Sequence, residues 1–173
     1  EPELRNMMYT ALGSGHPFMI RYPRGHGEGL PWRGEKFEAL PVGRGRRLRE
    51  GDDVALVSVG TVGNAAARAA ERAAAEGVNA AHYDLRFVKP LDEALLDEVG
   101  RKFRRVVTVE DGALRGGVGE AVAAFFNDRG YDVRVHRLGI GDEWVEHGTP
   151  GQLYALCGYD EEGILRALLD TRA

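Results

Sequence analysis

An arginine-containing segment near the start of the chain could bind an anion. The segment Arg21–Gly25, Arg-Tyr-Pro-Arg-Gly, directly follows an apolar run. Arginine can hold a phosphate or a carboxylate through two parallel hydrogen bonds, and its charge does not titrate. Residues beyond the end of a strand often bind ligands in parallel-sheet proteins, but at a domain boundary an arginine can equally form a structural ion pair. The spacing leaves both interpretations open for Arg24, and the stiff Pro23 and the permissive Gly25 slightly favour an anion site.

A second candidate is the glycine-rich turn Gly112–Gly119, which lies between a predicted strand and a predicted helix. Backbone N–H groups at such a turn can bind phosphate. However, Val122 stands where a dinucleotide-binding fingerprint has its third glycine. Glu110 and Asp111, just before the turn, would also repel a phosphate. We therefore favour a tight turn or a subunit contact over a ligand-binding loop.

Charged residues also follow another predicted strand, in the segment Asp84–Asp92. Asp84 and Arg86 could pair locally, which favours a structural role. His136 within a strand, His147 in a loop and the single Cys157 lack the neighbours that a nucleophile–base pair or a metal site requires. We predict no catalytic residue, no cofactor-binding residue and no metal ligand in this chain, and the roles of Glu110 and His147 stay open.

Hydrophobic periodicity predicts the elements that must position these residues. A helix is expected over residues 2–13 and a strand over 18–22. Residues 23–52 are rich in proline and glycine, as is typical of a connector. Strands and helices then alternate, with strands at 53–59, 78–85, 105–110 and 131–138, helices at 62–76, 93–103 and 118–129, and two closing helices after Pro150 and Asp160. This order predicts an α/β fold with a doubly wound, mostly parallel sheet of four or five strands.

Composition excludes several classes of protein. The 173 residues include 43% hydrophobic residues, which argues against a disordered chain. The net charge of −4 argues against a general nucleic-acid binder, and no apolar run is long enough to cross a membrane. A single cysteine fits the reducing cytoplasm. Because residue 1 is Glu rather than Met, we expect an internal part of a longer polypeptide.

Four segments together carry a resemblance to a known family. In order, they are Tyr22–Gly25, Asp84–Asp92, Val109–Gly119 and His147–Pro150. The chain resembles the carboxyl-terminal part of the transketolase family, and within it the 1-deoxy-D-xylulose-5-phosphate synthases. The resemblance implies a transketolase C-terminal domain at residues 51–173. It would follow an interdomain linker at 26–50 and, at 1–25, the tail of a pyrimidine-binding domain, a second α/β domain.

The resemblance also implies a reaction. Such an enzyme uses thiamine diphosphate and Mg²⁺ to condense pyruvate with D-glyceraldehyde 3-phosphate, releasing CO₂ and forming 1-deoxy-D-xylulose 5-phosphate for isoprenoid, thiamine and pyridoxal synthesis. Gly51–Asp53 and Gly141–Glu143 lack the third glycine of the family's metal–diphosphate motif. The resemblance therefore places both cofactors in parts of the enzyme outside this chain, which should be inactive alone.

Arg24 matches the position at which the family holds the phosphate of the sugar acceptor, so the resemblance assigns that role to Arg24. The implied partners are the remaining domains of the same enzyme and a second subunit of a cytoplasmic homodimer, with no nucleic acid and no membrane.

Two other interpretations remain. The chain could belong to another thiamine enzyme, such as a transketolase or the β chain of a 2-oxo-acid dehydrogenase, although Tyr22–Gly25 and the connector argue against this. It could instead be a free-standing flavodoxin-like binding module, which would need a ligand-binding loop.

Overall fold

The computed structural model of the chain describes residues 1–23, 25 and 27–170, and it divides into two units. The first unit is Glu1–Val42 and the second is Gly43–Ala173. Among the described residues, none of the helices has both the length and the apolar character that crossing a membrane requires.

The first unit contains one helix, α1, at Pro2–Gly13. This confirms the predicted helix, and Pro2 occupies the first turn, where its missing N–H is harmless. The strand predicted over residues 18–22 is wrong, because the segment has no strand assignment. A strand requires a neighbour with which to exchange hydrogen bonds, and the described part of Glu1–Val42 contains no strand.

The second unit alternates strands and helices. Its elements are β1 Arg46–Arg49, β2 Val54–Val59, α2 Val62–Ala75, β3 Ala80–Asp84, α3 Glu93–Lys102, β4 Arg105–Ala113, α4 Val118–Asp128, β5 Arg134–Ile140, α5 Pro150–Leu156 and α6 Glu161–Leu169. The strand order is β1-β3-β2-β4-β5, with β2 to β5 parallel and β1 antiparallel to β3. The predicted doubly wound, mostly parallel α/β sheet is confirmed.

Sequence reasoning missed β1, which lies inside the predicted connector. Its residues, Arg-Arg-Leu-Arg, lack an apolar alternation, because the strand occupies an edge of the sheet and buries none of its side chains fully. Charged side chains are common on edge strands, where they discourage pairing with other chains.

Two apolar layers cover the sheet. On one face, the fully buried alanines of α2 (Ala66, Ala69, Ala70 and Ala73) let the helix lie close to the strands, beside α6. On the other face, Leu96 of α3 and Phe126 of α4 pack on β2, β3 and β4. The first five residues of β2 are buried, as expected for a central parallel strand. The sheet therefore brings the carboxyl ends of β2, β3, β4 and β5 to one edge, where ligands commonly bind.

Candidate functional site

Arg24, the predicted phosphate-binding residue, lies outside the described residues. Its neighbours Arg21, Tyr22, Pro23 and Gly25 are all exposed to solvent. Gly25 has a φ of 153°, a conformation that other residues rarely adopt. A side chain at position 25 would therefore strain the backbone.

The glycine-rich turn after β4 is occupied by the protein's own carboxylate. Glu110, which is 6% exposed, accepts hydrogen bonds from the backbone N–H groups of Val118 at 2.9 Å and Gly119 at 2.7 Å. These are N–H groups of the first turn of α4, which a bound phosphate would otherwise use. The structure therefore favours the tight turn over the ligand loop, and it assigns Glu110 a role that the sequence left open.

Glycines make room for this carboxylate. A β-carbon added at Gly117 would lie 2.7 Å from Glu110 Oε1, and one added at Gly112 would lie 3.0 Å from Oε2. A β-carbon at Gly139 on the neighbouring strand would come within 3.3 Å of the Glu110 side chain. Side chains at these positions would collide with Glu110 or crowd it. Added β-carbons at Gly117 and Gly139 would also collide with the backbone carbonyl oxygens of Ala113 and Gly112, so these glycines accommodate both the carboxylate and the turn itself.

Asp111, the next residue, is held by two tyrosines. It accepts hydrogen bonds from the hydroxyl of Tyr159 at 2.9 Å and from that of Tyr154 at 3.4 Å. The two tyrosine rings lie 5.0 Å apart between centroids. Burial, followed by the hydrogen bond to Asp111, raises the pKa of Tyr159, so its hydroxyl remains a donor. Both carboxylates at the carboxyl end of β4 therefore have structural partners.

The segment Asp84–Asp92 fastens the chain that enters β1. Asp84 accepts hydrogen bonds from the Arg46 side chain at 3.1 Å and from the backbone N–H of Arg86 at 3.1 Å. Asp92 caps α3, as predicted, by accepting the N–H of Leu95 at 3.1 Å, and it also accepts the N–H of Gly45 at 2.9 Å. This geometry supports the structural role, and Arg46 forms an ion pair with Asp84 at 3.0 Å.

Arg86 has a feature that the sequence does not reveal. Its φ is 56°, and it is the one non-glycine residue with a positive φ in the described part of the chain. The left-handed region costs an ordinary residue roughly 1–2 kcal/mol. Backbone strain of this kind is concentrated at functional positions. Arg86 is therefore a candidate functional residue, which the sequence pattern of Asp84–Asp92 did not indicate.

A buried serine–histidine pair connects β2 and β3. The Ser58 hydroxyl and His82 Nε2 are 2.8 Å apart, and both residues are at most 1% exposed. Burial lowers the pKa of His82 to about 4, whereas the charges of Asp84 and Arg46 act in opposite directions with smaller effects. A pair so fully enclosed has no access to a substrate, which makes it a polar link inside the core.

Comparison with known proteins assigns the chain to a family. Residues 43–164 match the model of the transketolase C-terminal domain. The chain belongs to this family. A solved transketolase, titled as a split-gene transketolase in an inactive beta4 tetramer, superposes with a TM-score of 0.71 at 34% identity, covering 76% of this chain and 43% of that chain. The confirmed fold is thus that of the transketolase C-terminal domain.

Curated relatives extend the match to both units. The chain is 53% identical to the 1-deoxy-D-xylulose-5-phosphate synthase of Bacteroides fragilis over 99% of its own length. It is 52% identical to the synthase of Bacteroides thetaiotaomicron and 48% identical to that of Parabacteroides distasonis, over 98% and 97% of its length. In each case the chain spans only about a quarter of the relative, 26–27%.

The Mg²⁺ ion that the transketolase family implies, together with thiamine diphosphate, finds no set of carboxylate or imidazole ligands among the residues that the structure describes. No group of three or more His, Cys, Asp or Glu side chains among them could hold a metal ion. Asp52 pairs with Lys102 at 2.8 Å, Asp53 accepts the N–H of Asn79 at 2.6 Å, and Asp142 pairs with Arg115 at 2.8 Å. The two aspartate-containing segments that partly resemble the metal–diphosphate motif therefore have structural partners.

Proposed function

We propose that the chain is the carboxyl-terminal part of a thiamine diphosphate- and Mg²⁺-dependent 1-deoxy-D-xylulose-5-phosphate synthase. In this proposal the whole enzyme condenses pyruvate with D-glyceraldehyde 3-phosphate and releases CO₂. The observation that carries the proposal is the identity of about half of the residues to named synthases, sustained over nearly the entire chain. The cofactors would be bound by parts of the enzyme outside this chain, and the chain alone would be inactive.

A chimera tests the proposal. The chain would replace the matching quarter of the Bacteroides fragilis synthase, to which it is 53% identical. We expect CO₂ release from pyruvate that depends on D-glyceraldehyde 3-phosphate, with formation of the five-carbon product. The truncated synthase is the negative control. A folded chimera that releases CO₂ without any dependence on the acceptor, or that acts only as a transketolase, would contradict the proposal.

The proposal extends to Arg24 as a ligand of the acceptor phosphate. Charge-assisted hydrogen bonds contribute about 1.5–3 kcal/mol each, so Arg24→Ala should raise the KM for the acceptor at least tenfold and leave the KM for pyruvate nearly unchanged. Arg21→Ala, three residues away at an exposed position, is the matched control. An acceptor KM within twofold of the parent in Arg24→Ala would remove the assignment.

The proposed partners are the remaining domains of the same enzyme and a second subunit. The first unit supports this, because α1 and the segment after it enclose an apolar groove of about 480 Å³. Met8, Tyr9 and Leu12 are 54%, 47% and 88% exposed there, an arrangement that usually marks a contact surface. The tetramer named for the structural neighbour is a property of that protein, and it supports self-association here. A cytoplasmic location stays a prediction from the single cysteine.

A further inference from the structure

The buried hydroxyl of Thr108 has no hydrogen-bond partner within the part of the chain that the structure describes. Thr108 is 4% exposed and lies in β4 two residues before Glu110, so both side chains project from the same face of the sheet. Buried hydroxyl groups normally have a partner, so this exception indicates a place at which a ligand could bind. The neighbours of the hydroxyl show what kind of ligand that would be.

The Thr108 hydroxyl is directed at the start of α4. A β-carbon added at Gly119 would lie 2.5 Å from Thr108 Oγ1 and 3.3 Å from Glu110 Oε1. The N–H of Gly119 is one of the two that the Glu110 carboxylate accepts, and the other is that of Val118. The hydroxyl and the carboxylate therefore adjoin the same residue in the first turn of α4.

The charge around this place favours an anion. The first turn of a helix carries a partial positive charge, and α4 has 11 residues. Arg137 stands in register with Thr108 on the neighbouring strand, and its Cγ would lie 3.2 Å from a β-carbon at Gly119. The Arg137 guanidinium donates to the Leu114 carbonyl at 2.9 Å and lies 3.5 Å from the Glu120 carboxylate. An anion at the start of α4 would thus meet two N–H groups and a hydroxyl, with a cation close by.

We infer that the start of α4 is a binding site for a small oxyanion and that Glu110 acts as its built-in ligand. A free carboxylate or inorganic phosphate binds there once the Glu110 carboxylate is removed. Glu110→Ala takes away the atoms of an acetate ion and leaves two N–H groups and the Thr108 hydroxyl without their anion. Groups that lose a buried partner destabilise the folded chain, so a free anion that restores the hydrogen bonds stabilises it. Binding there does not depend on the reaction of the whole enzyme.

Thermal denaturation of the 173-residue chain tests the inference. Glu110→Ala should melt about 3 °C or more higher in about 0.1 M sodium acetate than in sodium chloride of the same concentration and pH, since an anion that binds only the folded state stabilises it. Sodium phosphate of the same ionic strength is a second arm. A rise in acetate alone assigns the site to carboxylates, and a rise in phosphate extends it to tetrahedral anions; either result supports the inference. The parent, whose site Glu110 fills, should not respond.

Glu120→Ala is the matched control. Glu120 also accepts a backbone N–H of the turn, that of Gly116 at 3.2 Å, but its side chain is 55% exposed. This variant loses the same charge and should not respond to acetate, and neither should Glu110→Gln, whose amide still fills the space. Equal melting temperatures of Glu110→Ala in chloride, acetate and phosphate would overturn the inference, as would an equal rise in Glu120→Ala.

The hydroxyl of Thr108 distinguishes a built site from a general effect of salt. Added to Glu110→Ala, Thr108→Val keeps the shape and removes the hydroxyl, so the acetate concentration that gives half of the stabilisation should rise at least about threefold. Thr108→Ser keeps the hydroxyl and should leave this concentration within about twofold. An unchanged concentration in Thr108→Val would refute the built site. If Glu110→Ala does not fold, Glu110→Ser opens the same space and is compared in the same three salts.

Discussion

Protonation of His82 should destabilise the second unit in mildly acidic solution. His82 is 1% exposed, and burial lowers its pKa to about 4 from a usual value of 6.5. The folded protein therefore holds this histidine neutral at pH values where the unfolded chain already binds the proton. Because the unfolded state binds more protons, stability is fully present above about pH 6.5 and falls as the pH decreases toward 4.

The size of the effect follows from the two pKa values. One pKa unit corresponds to about 1.4 kcal/mol, so the full difference between the two pKa values limits the loss to about 3 kcal/mol. Between pH 7.5 and pH 5.5 the linkage relation gives a loss of about 1 kcal/mol in the free energy of unfolding. This interval lies above the range in which most carboxylates titrate, so carboxylates contribute little to the pH dependence there.

Urea denaturation of the chain at pH 7.5 and pH 5.5, beside His82→Gln, measures this loss. Glutamine can still form a hydrogen bond with Ser58 but does not titrate, so the stability of His82→Gln should change by about 1 kcal/mol less over the same interval. Both proteins need the same m-value at both pH values for the comparison to hold. The same pH dependence in the parent and in His82→Gln, within about 0.3 kcal/mol, would refute the assignment of the effect to this residue.

Three further predictions concern the second unit. Glu110→Gln should lower the free energy of unfolding by about 1–3 kcal/mol, because one amide oxygen must replace two carboxylate oxygens at the start of α4. Chemical denaturation at pH 7.5 measures this loss, and an unchanged midpoint would contradict the prediction. Arg86→Gly should be more stable than Arg86→Ala by about 1 kcal/mol, because both variants lose the side chain and only glycine adopts a positive φ without strain. Equal melting temperatures of the two variants would show that the strain is absent. Arg72 connects α2 to α6 through ion pairs with Glu161 and Glu162, and hydrogen bonds to these two residues raise its pKa. Because salt screens ion pairs, the parent should lose more stability between 0.05 and 0.5 M NaCl than Arg72→Ala does. Parallel salt dependences of the two proteins would count against a contribution of these ion pairs to stability.

The sequence was sufficient to predict most of the second unit because its signals are local. The continuous apolar run of β2, the alanine stripe of α2 and the Asp92 cap each depend on residues close in the chain. The edge strand β1 was missed since its arginines carry no apolar alternation. Local sequence patterns identify helices and strands with an apolar face. They do not identify an edge strand such as β1, which forms because it pairs with β3.

The residues of the candidate site were harder to predict. Glu110 was expected to repel a phosphate. Instead, its carboxylate accepts the backbone N–H groups of Val118 and Gly119, which a bound phosphate would otherwise use. Ser58 and His82 are 24 residues apart and meet only through the register of β2 and β3. The helix α1 was predicted correctly, but its periodicity gave no indication that Asn6 and Thr10 would be its buried residues. Hydrophobic periodicity identifies the apolar face of a helix but does not show what that face packs against. In α1 the buried residues within the first unit are the polar Asn6 and Thr10.

The carboxylate beneath α4 has a consequence for how this domain responds to its surroundings. A glycine-rich turn that depends on a bound nucleotide is ordered only in proportion to the concentration of that ligand. Here the anion is joined to the chain eight residues before the N–H groups it satisfies, so its local concentration is fixed and no metabolite has to supply it. The turn should keep its shape whatever the cellular supply of phosphorylated compounds. The support that this turn gives to α4 therefore does not depend on a bound metabolite.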